Sequence, residues 1–473
     1  MANITPIHKK GPKNKVDNYR PISLTSTLCK LMERLIRDAL MEYMETNQLY
    51  SSHQHGFRKG RSCITQLIEV MEKWSEELEH RKPIDCIYLD FQKAFDTVPH
   101  MRLVHKLRGY GITGDILNWV KDFLYDRKQR VTLNGKSSKW QEVTSGIPQG
   151  SVLGPILFTI YINDLPDALE NMVKLFADDT KIYATVTNEE ESQSLQNDIN
   201  KLTNWSDKWL LKFNKSKCKH MHLGATSDYR YHMEDQMIDM TTSEKDLGVT
   251  IDENLNFEEH IQSQVNKANQ KLGIIKRSFK YLDSEMFITL YKSLVRPHLE
   301  YASTVWSVAN KKEAILIESV QRRATRLVKS IEHLSYSDRL RKLGLPSLQY
   351  RRVRADMIET YKILYNIDKV EIGNMLPLNT NSINTRGHKM KLLKKHSRTK
   401  KRQQTFSQRI VNYWNSLPAS TVEAKSVNSF KSQLNSAWKG LSIKFEPDIY
   451  RPEAGSNKTQ TGQRGICAYS NDL

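Results

Sequence analysis

Apolar residues recur along the chain in two periods, and the change from one to the other marks where helices give way to strands. Leu28, Leu31, Met32, Leu35, Ile36, Ala39, Leu40 and Tyr43 fall at i, i+3 and i+4, which predicts a helix over 27–44 with this face in the core. A second amphipathic helix follows through Ile64, Leu67, Met71 and Trp74, after a glycine-punctuated basic loop, HGFRKGRSC, at 55–63. The run IDCIYLDF, from Ile84 to Phe91, is apolar almost without break up to Asp90, the pattern of a buried strand. Leu103, Val104 and Leu107 then carry a helical period to Gly109, with Pro99 suited to the first turn and Asp96 or Thr97 to the cap. Residues 144–166, TSGIPQGSVLGPILFTIYINDLP, place three glycines ahead of an apolar run. Two β-type runs, Met172 to Ala177 and Ile182 to Val186, flank Asp178 and Asp179 and predict a tight hairpin with acid at its tip. Asn188 with Glu191 three residues on is a capping-box start for a helix through Leu195, Ile199, Leu202 and Trp209.

From 258 onward the pattern is helical. Ile261, Val265, Ala268, Leu272 and Ile275 mark one helix, and Phe287, Leu290, Tyr291, Leu294 and Val295, ended by Pro297, mark a second. A third, over roughly 311–332, carries Arg322, Arg323, Arg326 and Lys329 outside an apolar face of Ala324, Leu327 and Val328. Residues 386–402 hold nine lysines or arginines and no acid, with little periodicity, so they read as a loop or arm touching phosphates or as a solvated linker. The stretch from Pro447 is polar and aperiodic, and its expected state is disorder.

Composition narrows the class. The chain of 473 residues is 38% hydrophobic and 26% charged, which fits two to four globular domains. A net charge of +19 points to a polyanionic partner, nucleic acid first. The five cysteines, Cys29, Cys63, Cys86, Cys218 and Cys467, are too scattered for a disulfide framework or a zinc site. No stretch approaches the ~20 apolar residues of a membrane span and no signal peptide opens the chain, so no membrane partner and an intracellular, reducing location are expected.

Candidate chemistry gathers on acids. Adjacent carboxylates raise each other's pKa, so Asp178 and Asp179 either answer to a bound cation or sit in solvent. An acid ending a buried strand is costly, so Asp90 either caps a helix or binds a cation; with Asp96 and Thr97 at hand as caps, a metal is the better use of Asp90. A strand-end Asp90, the Asp178 and Asp179 hairpin and a glycine-rich turn between them suit two-metal phosphoryl transfer, with Mg2+ as the natural hard cation and Mn2+ as its substitute. The glycine-rich turn lacks the spacing and the Lys-Ser/Thr of a Walker loop. Near the N-terminus, Lys9, Lys10, Lys13, Lys15 and Arg20 surround a Gly-Pro-Asn loop that either clamps a triphosphate or is a solvated basic turn.

At this point the sequence resembles the reverse transcriptase domain of LINE-type, non-LTR retrotransposons, in their jockey-like group, over about residues 4–440. YLDFQKAFDTVPH matches the first catalytic motif, SGIPQGSVLGP the second, LFADD the third, and WLLKFNKSKC with KDLGVTIDE the fourth and fifth. The resemblance implies an α+β right-hand polymerase: fingers and palm over 1–255, a helical thumb over 256–345, and a basic, mostly helical C-terminal region over 346–446, before a tail at 447–473. It implies Asp90 and Asp178 as metal ligands with Asp179 completing the cluster, and Phe95 as the aromatic that excludes a ribose 2′-OH. Gln149 and Gly150 would line the nucleotide and template pocket, and Lys9 and Arg20 would hold the triphosphate. Lys217 would protonate pyrophosphate, and Leu247 and Gly248 would form the primer grip. The implied partners are an RNA template, a DNA primer or target and deoxynucleoside triphosphates, and the implied setting is nucleus and cytoplasm.

The chain starts at the first finger motif, so an N-terminally truncated element is expected, lacking the upstream endonuclease, and no Cys/His knuckle follows the thumb. Two competing readings stand beside the RNA-directed DNA polymerase. A related polymerase, such as an intron maturase or an RNA-copying RNA polymerase, is disfavoured by Phe95 and the FADD tetrad. An inactive or domesticated fragment that only binds nucleic acid is disfavoured by the intact Asp90, Asp178, Asp179 and Gln149, and favoured by the clipped N-terminus.

Overall fold

The computed structural model describes residues 1–225, 228–306, 308, 310–371, 373, 375–379 and 387–447. The chain divides into two compact units, Met1–Ser62 with Lys82–Thr241, and Cys63–Arg81 with Thr242–Leu473. The expected tail past Pro447 lies outside the described residues, as does Arg386 at the head of the basic run.

Two larger sheets and a two-stranded ribbon, His232–Met233 with Gln236–Met237, lie among the described residues of the first unit. Strands β1 (Ala2–His8) and β2 (Tyr19–Leu24) pair antiparallel, and β1 also pairs parallel with a strand later in the chain. The second sheet begins with β3 (Ile84–Leu89); the parallel partner of β1 is β4 (Lys128–Leu133). A hairpin, β5 (Met172–Phe176) and β6 (Asp179–Thr185), and then β7 (Lys219–Leu223) complete the second sheet in the order β7, β3, β6, β5, all antiparallel, with Asp239–Met240 added parallel to β7. The predicted hairpin and buried strand are thus both present, and the fold is α+β. β3 is central because Ile84, Cys86, Ile87 and Leu89 are buried along it, as a strand covered on both faces requires. Its one buried acid, Asp85, is satisfied inside the sheet: Tyr231 Oη donates to it at 2.7 Å, and ring nitrogens of His220 and His222 lie 3.0 and 2.6 Å away. Burial pushes this carboxyl up, but those three partners outweigh it and hold Asp85 well below the usual aspartate range.

The Thr27–Thr46 helix forms where its period placed it, but is turned about its axis so that only one edge of the predicted face is inward. Leu28, Leu31, Met32 and Leu35 are exposed, whereas Leu40 of that face is buried together with Met44 and Glu33, and Ile36 packs against the core. Glu33 explains the turn. Its Oε2 accepts from Val152 N at 2.6 Å and Leu153 N at 3.0 Å, two N–H groups at the start of the Gly154–Tyr161 helix that have no partner within that helix. The expected cap of the His100–Gly109 helix is also different. Pro99 occupies the N-cap position without a side-chain bond, while Asp96 accepts from Gln149 and Thr97 Oγ1 bonds back to carbonyls of 92–94. The Glu189–Trp209 helix starts at Asn188, whose side chain accepts from Glu191 N, but Glu191 reaches back to Thr187 N, one residue earlier than a standard capping box.

In the second unit, β8 (Ser243–Asp246) and β9 (Val249–Asp252) form a hairpin, followed by the Glu258–Ser278 helix with Ile261, Val265, Ala268, Leu272 and Ile275 all buried. Unit 2 takes in 242–255 because this hairpin is bonded to the helices after it: Tyr301 Oη donates to Leu247 O at 2.7 Å and Thr250 N to His260 Nδ1 at 3.1 Å. Pro297 does not end its helix. The Ser284–Leu290 helix passes through a π-helical turn at Tyr291–Val295 into Arg296–Glu300, a wider register that accommodates the proline's missing N–H. The helix expected over 311–332 stops at Thr325, where buried Arg339 donates to Thr325 Oγ1 and Arg322 O in place of a further helical turn.

The basic run at 386–402 is only partly a free arm. Lys389, Arg398, Lys400 and Lys401 are exposed, but Lys391 is buried and Arg402 is a core residue. Arg402 Nη2 donates to Glu72 Oε1 at 2.6 Å and Nη1 to Ser75 Oγ at 2.9 Å, and Ser407 Oγ donates to Glu72 Oε2 at 2.6 Å. The reason is geometric: Glu72 is buried on the Cys63–Glu79 helix and needs a cation of fixed, forked shape. Arg402→Met should therefore destabilise the second unit by about 3–5 kcal/mol, because it strands a buried carboxylate. Glu72→Met combined with Arg402→Met should recover most of that loss in urea unfolding monitored by circular dichroism. Equal losses in the single and double variants would show that the pair is not what matters there.

Candidate active site

The site is built at one end of the β3, β6, β5 array. Leu89 of β3 pairs with Thr180 of β6, and Phe176 of β5 pairs with Asp179, so Asp90, just past β3, lies level with the turn that carries Asp178 and leads into Asp179. That turn has two residues, Ala177 and Asp178. Ala177 has φ +54°, a left-handed conformation that costs a side-chain-bearing residue about 1–2 kcal/mol. Gln54, fully buried, steadies it: its Oε1 accepts from Ala177 N at 3.1 Å and from Gly56 N at 2.7 Å. Asp90 is fixed from the other side. Its carbonyl accepts from Asn214 N at 2.7 Å, and Phe91 stacks on Phe213 at 4.5 Å between ring centroids.

The electrostatics tie four of the expected residues together. Burial raises the Asp178 carboxyl above its ordinary 3.8, the neighbouring Asp90 charge raises it further, and Lys9 and Arg20 pull it back. Lys217 Nζ donates to Asp90 Oδ1 at 3.1 Å. Lys9 and Arg20 are exposed on the β1 and β2 hairpin, where Ile7 is paired with Arg20. Asp179 opens β6 and is exposed.

Phe95, Gln149 and Gly150 are positioned by one zipper. Gly146 N donates to Val98 O at 2.9 Å and Ile147 N to Phe95 O at 2.7 Å. Gly146 has φ +86°, and a Cβ there would lie 2.5 Å from Asp96 O, so only glycine fits this close approach. Phe95 is half-buried with its ring stacked on Phe158 at 4.5 Å. Gln149 Nε2 donates to Asp96 Oδ1 at 2.8 Å, and its carbonyl accepts from Ser23 N of β2 at 2.8 Å. The turn is thereby tied to the strand that bears Arg20. Leu247 and Gly248 are apart from this group in the chain's organisation: they form the β8 to β9 turn of the second unit, with φ +45° and +90°, the left-handed pair of a tight hairpin.

Carboxylate oxygens suit a hard divalent cation, and the strained protonation of Asp178 beside Asp90 is the condition that such a cation relieves. Among the described residues no three histidine, cysteine, aspartate or glutamate side chains converge as a ready-made metal cluster. The two carboxylates that share this end of the sheet are Asp90 and Asp178. Sequence reasoning missed Gln54 and Glu33, because each is a polar residue buried for its acceptor oxygens and neither breaks a hydrophobic period.

The family model described as reverse transcriptase (RNA-dependent DNA polymerase) matches residues 7–282, more than half of the chain. The chain belongs to that family. Within it, the chain is 29% identical over 354 residues to the probable RNA-directed DNA polymerase from transposon BS of Drosophila melanogaster, covering 69% of this chain and 38% of that protein. It is 29% identical over 365 residues to the RNA-directed DNA polymerase from mobile element jockey of Drosophila melanogaster, covering 73% of this chain and 40% of that one. With the jockey polymerase of Drosophila funebris the identity is 30% over 346 residues, 69% of this chain and 37% of that one. The jockey-like resemblance is borne out by these relatives, of which this chain spans less than half the length. Among solved structures, apo telomerase from Candida tropicalis aligns with a TM-score of 0.44 at 9% identity, over 94% of this chain and 68% of that one.

Because its carboxyl is raised, Asp178 makes the metal-free fold less stable as pH rises from the ordinary aspartate value through its own. Asp178→Asn removes that term. The variant should melt above wild type at pH 7 without divalent ions, with the difference closing as pH falls below 3.8. Added Mg2+ should raise the wild-type melting temperature and leave the variant's unchanged. A variant that melts below wild type at pH 7 would show that the carboxylate stabilises the apo fold.

Proposed function

We propose that this chain is an RNA-directed DNA polymerase that extends the 3′ end of a DNA primer on an RNA template. The observation that carries this reading is the strand register that sets Asp90 level with the Asp178 turn, with Lys217 Nζ on Asp90 Oδ1 at 3.1 Å. An anionic substrate brought to such a place meets acids that hold divalent ions and cations that neutralise phosphate. Asp90 and Asp178 would hold Mg2+, two ions in the family's chemistry, with Asp179 at the rim. Bound there, the ions would supply Lewis acidity to the primer hydroxyl and offset charge on the transferred phosphoryl group.

The chain's own residues do the rest. Lys9 and Arg20 bind the triphosphate of an incoming deoxynucleotide, and Lys217, bonded to Asp90 when substrate is absent, is placed to give a proton to departing pyrophosphate. The ring of Phe95, backed by Phe158, cannot retreat from a ribose 2′-OH, which selects deoxynucleotides. Gln149 and Gly150 line the base pair being formed, and the Leu247 and Gly248 turn grips the primer. Exposed Lys389, Arg398, Lys400 and Lys401 supply phosphate contacts for the template. Nucleus and cytoplasm are the setting expected of the family.

Purified protein should extend oligo(dT) on poly(rA) with dTTP and Mg2+. Asp178→Asn should abolish extension while RNA affinity changes by less than about twofold, since ligand loss removes charge compensation in the transition state rather than binding. Phe95→Ala should admit UTP in single-nucleotide incorporation while keeping dTTP. A wild-type protein that binds the template and never extends the primer would leave only the nucleic-acid-binding fragment. Unchanged sugar preference in Phe95→Ala would move the gate to another residue.

A further inference from the structure

The segment before the basic loop runs beside the catalytic hairpin rather than away from it. His55 N donates to Leu175 O at 2.8 Å and Leu175 N to His53 O at 3.0 Å, so Gln54 pairs with Leu175 in the parallel sense, as a short extra strand on the outer edge of β5. His53 Nδ1 lies 3.0 Å from Val173 O, one pleat further back. This edge pairing ends where the turn begins. There the backbone ladder is replaced by a side chain: Gln54 Oε1 accepts both Ala177 N, at 3.1 Å, and Gly56 N, at 2.7 Å.

Three observations make this more than general packing. Gln54 has 0% exposure, and Ala177, the residue it bonds, is 4% exposed and held at φ +54°. A buried N–H on a left-handed alanine has no neighbour in the ladder to satisfy it, so the amide oxygen is the group that makes the conformation tolerable. Gly56 allows the approach: a Cβ there would lie 2.5 Å from Ala177 N and 3.1 Å from the Phe176 carbonyl carbon. The segment Gln54, His55, Gly56 thus fits against the turn as a template whose shape admits one arrangement of Ala177 and Asp178.

We infer that Gln54 is a positioning residue that sets the direction of the Asp178 carboxylate by holding Ala177 in its left-handed conformation, with Gly56 as the space through which it acts. This inference rests on the polymerase reading for its kinetic consequence, but its structural content stands independently. Gln54 has 0% exposure, and its Oε1 accepts from backbone N–H groups alone. It acts through one backbone N–H. Misdirecting a ligand by a fraction of an ångström leaves nucleotide affinity nearly intact and lowers the rate of the chemical step.

The test uses Gln54→Met, which keeps length and apolar bulk and removes the acceptor, alone and combined with Ala177→Gly, which adopts positive φ without penalty. In the 473-residue protein, amide hydrogen exchange at Ala177 and Asp178 should speed by tenfold or more in Gln54→Met, with exchange in β3 and β7 unchanged. In primer extension on poly(rA) with Mg2+, kcat should fall by about ten- to a hundredfold with the KM for dTTP within about twofold. The Mg2+ concentration for half-maximal rate should rise, and Ala177→Gly should restore most of the lost rate. Unaltered exchange at Ala177 would overturn the inference whatever the activity. So would a loss of rate that Ala177→Gly does not relieve and that tracks a fall in melting temperature, since this would make Gln54 a packing residue. If the wild-type protein extends no primer, the polymerase reading fails while the exchange measurement still decides the role of Gln54.

Discussion

The first unit depends on one electrostatic compromise, two carboxylates brought level at the end of a sheet whose interior is apolar. Strand pairing imposes the meeting, since the register that buries Ile87, Leu175 and Ile182 also sets Asp90 beside the Asp178 turn. Burial and mutual repulsion push the Asp178 carboxyl up, and the basic β1 and β2 hairpin and Lys217 offset part of that charge. The fold leaves at this end an excess of negative charge that these cations only partly offset.

Around that point the supports are polar groups buried for their lone pairs. Glu33 accepts the free N–H groups ahead of the Gly154–Tyr161 helix, Gln54 accepts the N–H of the strained alanine, and the Asp96 and Gln149 bond ties the glycine-rich turn to the Phe95 segment. The first two complete backbone hydrogen bonds that regular structure leaves open, and the third joins two side chains. The second unit uses buried ion pairs for the same end, joining Arg402 to Glu72 and Arg409 to Asp356, the latter through two bonds of 3.0 and 2.9 Å. Such pairs are costly to break singly and fix which helices can meet.

The exposed leucines of the Thr27–Thr46 helix follow from this logic. A helical period specifies that one stripe differs from the rest, and normally the apolar stripe goes inside. Here Glu33 had two stranded N–H groups to satisfy, so the stripe containing Glu33, Leu40 and Met44 is the inner one and Leu28, Leu31 and Leu35 face outward.

What the sequence alone determined is local or motif-borne. The hairpin with Asp178 at its tip, the buried strand ending at Asp90, the helices with apolar periods and the family itself were legible, because period, turn residues and motif order are properties of consecutive residues. The helix over 258–278 was equally legible, since every apolar position of its period is buried. Only the tertiary structure decided which face of the first helix points inward, that Arg402 belongs to a core rather than an arm, that Pro297 continues a helix through a π turn, and that Gln54 is bonded to the Asp178 turn. Each of these depends on a partner distant in sequence, 123 residues between Gln54 and Ala177 and 330 between Glu72 and Arg402. A buried polar residue carries no periodic signal of its own, because its place is set by the unsatisfied group it meets.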